Sequence, residues 1–85
     1  MADQLRRAAV SVPTNIAEGS RRKSRADFAH FLNIAEGSSA ELDSLLLLIV
    51  RLGYRDEAAV APLLAQVDAL QRMLVGFRGT LEKQN

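Results

Sequence analysis

The sequence predicts an all-α fold: an antiparallel helical bundle of the four-helix-bundle type, with three helices in this chain and completion by oligomerisation. Three observations predict it. Apolar residues recur at helical spacing from end to end, and no stretch alternates with the two-residue period of a strand. A chain of 85 residues is one small domain whose core alone is marginal. There is no cysteine, so disulfides and thiolate zinc sites are excluded, and support must come from packing or from other subunits. The single domain is read over 1–85, with helices over about 3–19, 24–52 and 56–82.

In the first helix Leu5, Ala9, Val12 and Ile16 recur at i, i+4, i+7 and i+11, one helical stripe. Arg7, Ser11, Thr14 and Glu18 share the opposite, polar face. Gly19 is placed to end the helix as a left-handed residue. Pro13 cannot donate to the carbonyl of Ala9, which predicts a kink or a late start.

The second helix opens on Ser24-Arg25-Ala26-Asp27, a capping-box pattern with Asp in place of Glu. Phe28, Ala35, Leu42 and Ile49 then repeat every seven residues, and Phe31, Ser38, Leu45 and Leu52 do so offset by three. Gly53 is expected to terminate it, with Tyr54 folding back on the last turn. Leu45, Leu46, Leu47, Leu48, Ile49 and Val50 form an unbroken apolar run that wraps the helix circumference. Two neighbouring helices cannot cover all of it, so this run is expected at an oligomer interface.

The third helix carries one row of Val60, Val67, Leu74 and Leu81 and another of Leu63, Leu70 and Phe77. Asp56 is a plausible N-cap. Pro62 predicts a separate or kinked first turn. Gly76 and Gly79 weaken the last turns, and the tail Glu82 to Asn85 is expected to fray. A hexapeptide repeats unchanged: Asn15-Ile-Ala-Glu-Gly-Ser20 and Asn33-Ile-Ala-Glu-Gly-Ser38. Two copies do not make a solenoid, which needs three or more.

The net charge of +1 hides an asymmetry. Residues 1–25 hold six basic side chains against two acidic, net +4, and residues 26–85 hold five against eight, net −3. Arg21-Arg22-Lys23-Ser24-Arg25 sets four cations before a helix N-terminus, where the macrodipole disfavours them, so the cluster reads as a holder of an anion. With Arg6 and Arg7 it forms the candidate nucleic-acid-binding set: Arg6, Arg7, Arg21, Arg22, Lys23 and Arg25. No aromatic lies close by for stacking bases, so backbone-directed binding to RNA or DNA is the sharper expectation. The bland alternative is a solvated loop between helices.

Enzyme chemistry is not expected. His30 is the only histidine and lies away from Phe28 and Leu32 on its helix. No Walker loop or dinucleotide fingerprint is present, and no metal or other cofactor is expected. Glu18, Glu36 and Glu41 read as solvated or intersubunit carboxylates. Gly37, Ser38, Ser39 and Ala40 form a small-residue patch, read as a close helix approach. Met1 to Val12 carries Asp3, Arg6 and Arg7 where a secretory leader would be apolar. The run Leu45 to Val50 is too short to span a bilayer. A cytoplasmic protein without a membrane partner is the expectation.

The stretch Gln4-Leu5-Arg6-Arg7-Ala8-Ala9-Val10-Ser11-Val12-Pro13-Thr14-Asn15-Ile16-Ala17-Glu18-Gly19 resembles the signature of the four helix bundle protein family, also called the 23S ribosomal RNA intervening-sequence protein family. The likeness continues through Phe28, Phe31 and Leu32, Gly37-Ser38-Ser39-Ala40-Glu41-Leu42, Arg51-Leu52-Gly53-Tyr54 and Arg72-Met73-Leu74. It implies an antiparallel four-helix bundle assembled as a homopentamer, and kinship with the basic accessory proteins of diversity-generating retroelements. Family members usually carry one further helix ahead of the Gln4-Leu5-Arg6-Arg7 motif, a departure that matches the uncovered Leu45–Val50 surface. Two functions follow as expectations. One is a non-enzymatic oligomer that binds RNA or DNA through its basic surface. The other is a structural adaptor that docks another protein through its apolar helical face.

Overall fold

The computed structural model describes residues 1–83. Three helices follow one another: α1 (Ala2–Ser20), α2 (Arg25–Arg51) and α3 (Glu57–Lys83). No strand occurs among the described residues. α2 is central, with α1 packed on one flank and α3 on the other, and no close backbone approach joins α1 to α3. The result is a thin slab measuring 47 × 22 × 13 Å, not a closed bundle.

Local signals set the helix ends. The Ser24 side chain accepts a hydrogen bond from the Asp27 N–H, 3.0 Å, and so caps α2. At the other end Gly53 takes φ +78°. Its N–H donates to the Val50 carbonyl at 3.0 Å and the Tyr54 N–H donates to the Ile49 carbonyl at 3.1 Å. This pair of bonds is a Schellman motif, the predicted fold-back of Tyr54. α3 starts directly after Asp56, whose carbonyl accepts from Ala59 and Val60.

Several expectations need correction. α1 begins at Ala2 and runs through Pro13, and α3 runs through Pro62. An unsatisfied carbonyl on a solvent-facing turn is hydrated at little cost, so neither proline divides its helix. Gly19 does not end α1 in a left-handed conformation; the C-cap is Arg21, in ordinary right-handed geometry. Gly19 is instead a close-approach residue. A Cβ there would lie 2.8 Å from both Phe28 Cδ1 and Phe31 Cβ. α3 remains helical to Lys83; the rest of the tail expected to fray lies outside the described residues.

The core comprises Val12, Leu32, Ala35 and Leu74, with Ile16, Phe28, Leu42, Leu70 and Leu81 packed against it. Phe28 meets Phe77 edge to face with ring centroids 5.2 Å apart. On α2 the Phe28, Ala35, Leu42, Ile49 seam is present. The fully packed second seam is Leu32, Ser39 and Leu46, not Phe31, Ser38, Leu45 and Leu52. The reason is that α2 serves two partners on adjacent flanks, so its packed arc is wide and centred on Leu32. Ser39 is fully buried because its hydroxyl donates to the Glu36 carbonyl at 2.7 Å, which satisfies it within the helix. Ser11, expected on the polar face of α1, turns inward: its hydroxyl lies 2.7 Å from that of Ser38 and accepts from Asn15 Nδ2 at 3.0 Å. In the small-residue patch, Ser38 and Ser39 make the close approach, while Gly37 and Ala40 are exposed.

Leu46 is the one residue of the Leu45–Val50 run that the chain itself buries; Leu45, Ile49 and Val50 are half-buried, and Leu47 and Leu48 exposed. The larger uncovered surface lies elsewhere. Between α1 and α3, over Leu32, runs an open apolar groove of about 530 Å³, lined by Ile16, Leu32, Leu70, Met73, Leu74, Gly76 and Phe77. The heptad rows that carry its walls hold no charge: Ala2, Ala9 and Ile16 on α1, and on α3 Leu63, Leu70 and Phe77 beside Ala59, Gln66, Met73 and Thr80. Among the described residues α3 is the one helix long and apolar enough to cross a membrane by length and composition. Apolar windows that tolerate a few charges reach further than the unbroken run considered above, and the core helix of a soluble bundle meets the same criterion.

Candidate nucleic-acid interface

The basic segment forms the tight connection between α1 and α2. The Arg21 N–H donates to the Glu18 carbonyl at 3.3 Å and the Arg22 N–H to the Gly19 carbonyl at 3.0 Å, closing α1 in its last turn. Ser24 then opens α2 as described. Arg21, Arg22, Lys23 and Arg25 are all exposed. Arg22 is held on both sides: Nη2 lies 2.8 Å from Glu18 Oε1, and the guanidinium sits 4.8 Å from the centroid of the Phe31 ring. At this exposure the cation–π contact contributes about 0.5–1 kcal/mol. Arg21 and Lys23 make no ion pair among the described residues.

This placement changes the electrostatic reading. Arg21 and Arg22 stand at the C-terminus of α1, where the macrodipole favours cations. Only Lys23 and Arg25 stand at the N-terminus of α2, and Asp27 in its first turn offsets them. The cluster is therefore not held at a dipolar cost, and that part of the case for an anion is withdrawn. What remains is exposed positive charge on a rigid turn.

Arg6 and Arg7 are not part of the turn. They lie in the second turn of α1, and fourteen residues of helix separate Arg7 from Arg21, roughly 21 Å at 1.5 Å per residue. Arg6 makes a loose surface pair with Asp3 at 3.4 Å. Arg7, Thr14 and Arg21 are two heptads in register, so Arg7 and Arg21 share the outer face of α1. The six predicted residues thus form a cluster of four at one end of α1 and a pair toward the other, joined along one face through Arg7 and Arg21.

Sequence reasoning missed the most ordered charged group. Arg78 of α3 forms a two-pronged ion pair with Glu36 of α2, through Nε to Oε2 and Nη2 to Oε1, and its Nη1 lies 2.8 Å from Glu82 Oε1. The Glu36 side chain is only 12% exposed, which corrects its reading as a solvated or intersubunit carboxylate. The hydrogen bonds from Glu36 hold the Arg78 guanidinium above its ordinary pKa, so it is charged at every accessible pH. A cleft of about 410 Å³ beside this pair is lined by Ala26, Ala29, His30, Asn33, Leu81 and Glu82 as well. Its cation is already committed to two carboxylates, so it offers little to an incoming anion. Forty-two residues separate Glu36 from Arg78; only the antiparallel register of α2 and α3 could have paired them. His30 is exposed and packs its ring edge-on to Phe31, centroids 5.5 Å apart. No group of three potential metal ligands comes together among the described residues.

The model of the 23S rRNA-intervening sequence protein family matches residues 1–76. The chain belongs to that family. The match covers α1, α2 and most of α3, including the turn that carries Arg21 to Arg25 and the glycine packed against Phe28 and Phe31. A comparison with curated proteins found no match.

Proposed function

We propose that this family member is a non-enzymatic, self-associating helical protein that binds the backbone of RNA or DNA. The observation that carries the reading is the α1–α2 turn, where Arg21 and Lys23 project from a connection fixed by backbone hydrogen bonds, with Arg7 on the same face of α1. Exposed cations on a rigid frame favour phosphates without ordering cost, and they read charge, not sequence. In a ring such as the homopentamer implied by the family resemblance, five such turns would add to one positive zone. Arg6, Arg22 and Arg25 support the field.

Salt tests it. Binding to RNA should weaken as salt rises, with a log–log slope of about −0.7 to −0.9 per phosphate neutralised. Replacing Arg21, Arg22 and Lys23 with Gln should flatten the slope and weaken binding to all sequences alike. Equal affinity of parent and triple variant, at low and at moderate salt, would refute the role of the turn.

A second reading is favoured by the uncharged groove between α1 and α3: a structural adaptor that docks another protein through its apolar face. It predicts no salt-dependent RNA binding.

A further inference from the structure

We infer that the groove between α1 and α3 seats a second copy of this chain, whose own α3 lies in it. The inference rests on the self-association part of the reading above and names its surface. The groove has Leu32 as its floor, Ile16 on one wall, and Leu70 and Phe77 on the other. Met73 stands at the rim with 69% of its surface exposed. In a chain holding 21 charged side chains (11 basic and 10 acidic), the rows that build these walls hold none. A nucleic acid, or a basic or acidic peptide, would find no counter-charge there and would lose its hydration. The occupant that fits is an uncharged, apolar helix face. The chain presents one in α3 itself, beside the groove, so it is its own complement.

Two identical uncharged faces close by a two-fold rotation without setting like charges against each other. The size suffices as well. The broad face of the slab measures 47 × 22 Å, on the order of 1,000 Å² of footprint, against about 800 Å² per partner in a standard stable interface. A chain this short, with a core open on one side, gains most from such completion.

Met73→Glu tests the surface, because Met73 is exposed in the single chain and its replacement should leave the isolated fold intact. By light scattering the parent should run at a multiple of the chain mass. Met73→Glu should fall to one chain mass with helicity retained by circular dichroism. Val10→Glu, an equally exposed site on the outer side of α1, should keep the parental mass. A parent that is a fully helical single chain, a Met73→Glu variant that keeps the parental mass, or a mass matching one chain plus a different protein would each overturn the inference. Should Met73→Glu lose helicity too, Met73→Ala decides by melting over a hundredfold range of concentration. A Tm that rises less with concentration than the parent's supports the contact, and identical dependences overturn it. RNA binding through Arg21 and Lys23 is read separately, so failure of either proposal is seen on its own.

Discussion

Gly19 and Gly37 occupy the same place in the two copies of the repeated hexapeptide, and their replacement by alanine should have opposite effects. Both lie within helices, so alanine should gain about 0.5–1 kcal/mol in each case from helix propensity alone. At Gly37 nothing lies within 4 Å of the added methyl, and the gain should appear undiminished. At Gly19 the methyl would stand 2.8 Å from Phe31 Cβ and 2.8 Å from Phe28 Cδ1. The Phe28 ring could swing only by breaking its contact with Phe77. Phe31 Cβ is fixed to the backbone of α2 and cannot move without it. The helices must separate, and overpacking of this kind costs about 1–3 kcal/mol. The net for Gly19→Ala is then a loss of about 1–2 kcal/mol, or roughly 4–15 °C in Tm for a domain of this size. Urea denaturation followed by circular dichroism measures both variants against the parent. A Gly19→Ala protein as stable as the parent, with Gly37→Ala no more stable, would refute the close-approach reasoning.

Other variants probe the packing and the charged groups. Leu32→Ala, at a fully buried site, should cost about 2–5 kcal/mol, whereas Leu47→Ala, at an exposed one, should stay within about 0.5 kcal/mol in the isolated chain; urea midpoints at low protein concentration compare them. Glu36→Ala should lower the urea midpoint more than Glu18→Ala, because the Glu36 side chain is 12% exposed and that of Glu18 44%; the reverse order would show that the α2–α3 pair does not lock the two helices. His30→Ala should leave the melting temperature nearly unchanged, since the ring is exposed and touches only the edge of Phe31.

The three helices and their ends were legible because they depend on local chemistry: Ser24 before Asp27, Gly53 before Tyr54, and heptad rows of leucine. The second seam of α2 was not, because Ser39 is polar and its burial depends on a bond to its own helix that composition does not reveal. Gly19 looked like a terminator for a related reason. Its neighbours in space, Phe28 and Phe31, follow it on the next helix, and glycine's absence of a side chain serves a turn and a close contact equally well. The basic residues of the turn were visible, but their electrostatic setting was not. Whether an arginine belongs to the end of one helix or the start of the next is decided by two residues of boundary.

The arrangement of α1 and α3, each against α2 and neither against the other, also orders the events of folding. Every helix packs only on its neighbour in sequence, so the native contacts are all those of two successive hairpins, and no distant segments must find each other first. Such a low-contact-order topology favours fast folding. It also makes the two outer helices separately detachable. α1 can lift away without disturbing the α2–α3 hairpin, and α3 without disturbing α1–α2, while α2 can be released only when both have gone. Amide exchange should therefore be slowest in the middle of α2, around Leu32 to Ser39, and faster in both flanking helices.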